Sequence, residues 1–234
     1  SHRTGTTSVQ NFLRSNRKAL LQSRVAVAIP PGTRQTDKIS VEPFERAIVS
    51  EENILGTMES NIWAQELYPN VGAKLERQRD LIASASTIVL SIRDIADWWR
   101  SAIFFCCRKT IPLPSIEDLD RIAASKRSWL QVIDDIRSIN STAELLVREF
   151  GWKTGNPKQF LKRVTRWGEF SNFKPEPHQH NASPTFERLM AAFADRNDTE
   201  SIKRLTQLTD QKLFSREQVE AMNERYDHDI AALK

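Results

Sequence analysis

The chain has 234 residues, 39% hydrophobic and 27% charged, with 34 basic and 30 acidic side chains giving a formal charge of +4. These proportions exclude a disordered polypeptide and supply enough apolar material for one sizeable core, so a single domain over 1–234 is expected. The charge is too mild and dispersed to call for nucleic acid as a partner. No apolar run nears the about 20 residues that span a bilayer. The amino terminus has no signal-peptide hydrophobic region, so cytoplasm is the expected compartment. The two cysteines, Cys106 and Cys107, are adjacent and cannot tie distant elements together within the chain. They are expected as small buried apolar residues in a helix.

In chain order, Val9, Phe12, Leu13, Leu20 and Leu21 recur at helical spacing and predict an amphipathic helix over 7–23. The short apolar run "VAVAI" (25–29), stopped by Pro30-Pro31-Gly32, predicts a buried strand. A second strand is expected over 47–50, a surface helix over 71–84, and the clearest strand over 87–92, "TIVLSI". The following "IADWWRSAIFFCC" is apolar on nearly every side and predicts a buried helix. Helices over 116–124 and 129–136 and a last strand over 145–150 come next. Beyond Gly151 the chain reads as helical. Ser183-Pro184 is expected to start one helix, and Ser215 with Gln218 to form a capping box ahead of Val219, Met222, Tyr226, Ile230 and Leu233. Alternating strands and helices imply parallel pairing: an α/β fold with a central, mainly parallel sheet flanked by helices and a helical carboxyl-terminal part. A ligand site is then expected at the strands' carboxyl ends.

The opening "SHRTGTTSVQ" places one glycine among hydroxyl residues, next to a cation and directly ahead of a helix. Backbone amides and the positive helix end would face an anion there. Thr4, Thr6, Thr7 and Ser8 add donors, Gly5 permits a positive φ and close approach, and Arg3 supplies charge. The same residues could equally be a hydroxyl-rich terminus with a helix cap. A Walker A loop needs two glycines followed by lysine and serine or threonine, which this stretch lacks, so a kinase or NTPase is disfavoured.

The stretch resembles the 5′-phosphosulfate loop of the sulfotransferases, commonly Lys-[Thr/Ser]-Gly-Thr-Thr, and is similar to that of bacterial carbohydrate-type members. The family also holds the 3′-phosphate of its donor with an arginine at a strand end and a serine eight residues on. Here "TIVLSI" runs into "RDIADWWRS", placing Arg93 and Ser101 at that spacing. Two turns of helix can bring Ser101 round toward an oxyanion held by the planar guanidinium of Arg93. The carboxyl-terminal "HNASPTFERLMAAF" and "FSREQVEAMNERYDHDIAAL" look like the family's tail. The resemblance implies a P-loop-like fold and 3′-phosphoadenosine 5′-phosphosulfate (PAPS) as donor, with no metal. It implies Arg3, Thr4, Gly5, Thr6, Thr7, Ser8, Arg93 and Ser101 as donor-binding residues. It also implies a strand leading into the loop, which would lie upstream of residue 1.

For the reaction, the resemblance implies a loop cation to stabilise the leaving phosphate. Arg3 takes the usual lysine's place, keeping the charge but unable to donate a proton. It implies as base a histidine or glutamate near a strand end between the two motifs. "AIVSEENILG" offers Glu51 and Glu52 there, Glu51 being favoured; helix capping is the structural alternative for both. His178 and His180 lack a third metal ligand nearby and read as loop residues, and His228 as exposed. Trp98 and Trp99 read as core; Trp152, Trp167 and Phe173 are possible exposed platforms for a sugar, with ordinary packing the favoured account. The acceptor implied by resemblance is a hydroxyl or amine of a glycan or small molecule. A non-catalytic nucleotide-binding or interaction module retaining the phosphate pockets is the alternative function.

Overall fold

The computed structural model describes residues 2–34, 39, 44–150, 156–168, 170, 173, 184–208 and 212–234. The elements run α1 (Thr6–Ser15), α2 (Arg17–Gln22), β1 (Val25–Ala28), β2 (Arg46–Val49), α3 (Met58–Ala64), α4 (Val71–Glu76), α5 (Arg79–Ser84) and β3 (Thr87–Ile92). They continue with α6 (Ile95–Lys109), α7 (Ile116–Ala124), α8 (Trp129–Ile139), β4 (Glu144–Glu149), α9 (Pro157–Thr165), α10 (Phe186–Asp195), α11 (Thr199–Gln207) and α12 (Arg216–Ala232). The architecture is mixed α/β. The chain divides into two compact units, the first built from 1–55, 70–92 and 135–181, the second from 56–69, 93–134 and 182–234.

The first unit holds the four strands found among the described residues. Among the described residues they form two separate parallel pairs, β1 with β2 and β3 with β4, rather than the single central sheet expected. The pairing is parallel because each crossover returns the chain to its starting edge: Val25 lies opposite Arg46, and Thr87 opposite Glu144. Both ladders extend past their strands, Ser50 N donating to Ala28 O (3.0 Å) and Phe150 N to Ile92 O (2.7 Å). α2 packs on β1, α9 packs on β3, and α1 packs on both α2 and α9. Their shared core joins Phe12, Leu13 and Leu20 to Val25, Val27, Leu161, Phe170 and Phe173.

Residues 2–5 cross the carboxyl ends of both pairs. The His2 imidazole Nε2 donates to Asn53 Oδ1 (2.7 Å) just beyond β2, while Gly5 lies against the Phe150 ring just beyond β4.

The second unit is helical. α6 packs against α3, α10 and α12, and α12 also covers α7. Trp98, Trp99 and Trp129 are fully buried, with Trp98 edge-on to both of the others. Cys106 and Cys107 are buried in α6 as expected, and burial pushes the Cys107 thiol far above its ordinary range.

Several boundaries differ from the sequence reading. The helix expected over 7–23 breaks at Asn16, whose buried side-chain amide donates back to Phe12 O (2.9 Å) and competes with the helical ladder. The helix expected over 71–84 divides at Arg77 and Gln78, where the Gln78 side chain accepts the Ile39 amide (3.2 Å). α10 is capped by Thr185, whose hydroxyl accepts from Arg188 N, so Pro184 precedes the helix instead of opening it; Ser183 lies outside the described residues. The capping box at Ser215 and Gln218 forms as expected.

Phe12 is fully buried and joins α1 to the Phe170 and Phe173 rings at 6.4 Å between centroids. Phe12→Ala is therefore expected to cost about 3–5 kcal/mol of unfolding free energy in a urea titration.

Candidate functional site

α1 begins in the way its sequence requires. Gly5 stands at the N-cap with φ 80° and ψ 9°, left-handed backbone that residues with a Cβ rarely adopt, and no side chain caps the helix. A Cβ at this position would lie 3.3 Å from Phe150 Cε2, a tight contact; it is the left-handed backbone that calls for glycine. The Gly5 carbonyl accepts from Ser8 N (3.1 Å), which closes the first turn, and the positive end of the helix faces the loop. Arg3 also has positive φ, 58°, and is half-buried. Thr4 is buried, Thr6 and Ser8 are half-buried, and Gly5 and Thr7 are exposed. The loop thus joins exposed backbone, hydroxyls and one cation at the mouth of a ten-residue helix.

Beside it, Glu51 and Glu52 follow β2 where the sequence puts them, and each is held by a buried residue that the sequence reading missed. The Thr33 hydroxyl donates to Glu51 Oε2, and Asn53 N donates to Glu51 Oε1 (2.9 Å). Gln10, on the first turns of α1, donates from Nε2 to Glu52 Oε2 (2.7 Å) and to Ser50 O (3.1 Å). The helix carrying the loop is therefore bonded to the strand end carrying the paired acids. Gln10 had a legible signal, as a polar residue three positions before Leu13 on the buried side of α1; Thr33 had none.

Arg93 and Ser101 belong to the second unit. Arg93 directly follows β3, and its Nη2 donates to Asp97 Oδ2 (3.3 Å), which also accepts Arg100 Nη2 through Oδ1 (3.3 Å). Ser101 lies four residues beyond Asp97 in α6. Ser101 itself is only 1% exposed. The neighbouring Asp94 caps α6 through the Asp97 amide (2.8 Å). Burial pushes its carboxyl above the ordinary range, opposed by that amide bond and by the charge of Arg93.

The other singled-out residues divide. Trp98 and Trp99 are core, and His228 is exposed, as read. Phe173 is not an exposed platform, because it is buried against Phe12 and Phe170. Trp167 is half-buried, stacked on Phe170 at 6.2 Å with the Arg46 guanidinium 5.1 Å from its centre. Trp152, His178 and His180 lie outside the described residues. Among the described residues no group of three or more His, Cys, Asp or Glu side chains could hold a metal ion, and no helix is long and apolar enough to cross a membrane.

Comparison with family models, with curated proteins and with solved structures finds no match to this chain.

Gly5→Ala is expected to lower stability by about 1–2 kcal/mol in chemical denaturation, the cost of left-handed backbone for a residue with a Cβ. An unaffected midpoint would show that residue 5 does not hold positive φ.

Proposed function

We propose that this chain is a PAPS-dependent sulfotransferase that transfers a sulfuryl group to a hydroxyl or amine of a glycan or small-molecule acceptor. The observation that carries the reading is the opening loop: left-handed Gly5 at the start of α1, no side-chain cap, and Arg3, Thr4, Thr6, Thr7 and Ser8 around it. Such a donor set suits a 5′-phosphosulfate, since a helix end with hydroxyls and a cation favours a multiply charged oxyanion. In this reading Arg93 and Ser101 take the 3′-phosphate, the guanidinium exchanging its bond to Asp97 for charged bonds to phosphate oxygens.

PAPS supplies the activated sulfuryl group: its bond to the 5′-phosphate oxygen breaks as a bond to the acceptor oxygen forms. Arg3 and the α1 amides stabilise charge on the departing phosphate without giving up a proton. The acceptor's hydroxyl proton passes to a carboxylate at the end of β2. Glu51 is the favoured base, held at both oxygens by Thr33 and Asn53, with Glu52 fixed beside it by Gln10.

The finer fold reading accompanies this function. Residues 2–5 pass the carboxyl ends of both strand pairs, and α1 packs between α2, which lies on β1, and α9, which lies on β3. That placement supports a strand leading into the loop and joining the pairs into one parallel sheet.

Calorimetric titration with 3′-phosphoadenosine 5′-phosphate (PAP) tests the donor site. Binding is expected, and Arg93→Ala is expected to weaken it by about 2 kcal/mol through loss of a charged hydrogen-bond pair. No binding by the intact chain would end the sulfotransferase reading.

Turnover separates enzyme from binding module. With labelled PAPS and a panel of sugars and phenols, Glu51→Gln is expected to cut the rate by about 100-fold or more. Parental rates in both Glu51→Gln and Glu52→Gln would retire the base assignment, and PAP binding without any turnover would favour the non-catalytic module.

A further inference from the structure

The carbonyl of Arg93 falls between two regular elements. In α6 the first helical bond is accepted one residue later, by Asp94 O from Trp98 N (2.8 Å). The Arg93 carbonyl accepts instead from the indole Nε1–H of Trp129 at 2.7 Å. Trp129 is the first residue of α8 and is 0% exposed, packed edge-on to Trp98 at 6.3 Å and against Tyr68 at 6.1 Å.

The start of α8 is in turn held from α12. Asp229, on α12 and 2% exposed, accepts Trp129 N at Oδ2 (2.8 Å) and the Ser128 hydroxyl at Oδ1 (2.7 Å). A buried carboxylate at the start of α8 takes one otherwise orphan amide donor and gains from the positive helix end. A single chain of charge-assisted and neutral hydrogen bonds therefore runs from Asp229 through Trp129 to the peptide from which the Arg93 side chain departs.

We propose that Trp129 is a positioning residue for Arg93: its indole N–H fixes the peptide at residue 93, and so the origin of the guanidinium, for recognition of a 3′-phosphate. Asp229 holds Trp129 in place. Without the indole donor the Arg93 carbonyl loses that hydrogen bond, and rotation of the peptide in response displaces the arginine. This inference rests on the nucleotide reading above.

The test compares PAP with adenosine 5′-monophosphate (AMP), which lacks the 3′-phosphate, by calorimetry on the full chain. Trp129→Phe keeps most of the ring packing and removes the donor; Ile133→Val, a buried apolar change on the same helix, is the packing control. Trp129→Phe is expected to lower the PAP-over-AMP affinity ratio about five- to tenfold. AMP affinity itself is expected to stay within about twofold, and Ile133→Val to leave the ratio unchanged. If Trp129→Phe does not fold, site-specific benzothienylalanine at 129, which replaces the N–H by sulfur at nearly constant shape, is measured in its place. An unchanged ratio, or equal loss of PAP and AMP affinity, in a folded variant overturns the proposal. Wild-type protein that binds neither nucleotide ends the donor reading and this inference together; wild type that prefers PAP with an unchanged variant ratio ends this inference alone.

Discussion

Parallel pairing is the constraint on which the first unit depends. Two strands that run the same way deliver their carboxyl ends to the same edge, and the connection between them must travel back over a face. In both pairs that return is made through intervening segments, so the residues following β2 and β4 are left where residues 2–5 can touch them. The contact of His2 with Asn53 and of Gly5 with Phe150 follows from this arrangement. A left-handed glycine at the start of α1 lets the backbone turn from that edge into the helix without a Cβ striking the Phe150 ring. Sheet direction, loop conformation and the placement of Glu51 and Glu52 are thus consequences of one topology.

The second unit is organised by a different interaction, the burial of large aromatic surface around the partnered indole of Trp129 and carboxylate of Asp229. Trp98, Trp129 and Tyr68 are fully buried against one another in tilted and edge-on contacts. An indole and a carboxylate are tolerated in that setting because each meets a partner: Trp129 the Arg93 carbonyl, and Asp229 the start of α8. Arg127 adds to this order by donating to the carbonyls of Leu67 and Tyr68 (2.7 and 3.0 Å).

Local pattern made much of the secondary structure legible. β3 spans the residues that its β-branched run marks, α7 has the expected bounds, and the Ser215 capping box is present because its side-chain chemistry acts within three residues. Interruptions were harder to see. Asn16 breaks a periodic apolar stripe through a back-bond to Phe12, and spacing alone carries no sign of it. The positive φ of Gly5 was readable because only glycine adopts it freely, whereas nothing in the local sequence around Thr33 signals its bond to Glu51. Asp229 left a trace: it falls seven residues after Met222 on the buried side of α12, a carboxylate where an apolar residue is due. The division into two strand pairs, and of the chain into two units, depends on long-range packing that no short window contains.

The distribution of indoles also determines what light can report about this molecule. Of the six tryptophans, Trp98, Trp99 and Trp129 lie sealed in the helical unit, while Trp167 of the strand-bearing unit is half-buried and Trp63 sits on an exposed face of α3. Blue-shifted emission from those three enclosed rings reads out the melting of one half of the polypeptide. The half that contains the glycine loop is better followed through circular dichroism or amide exchange.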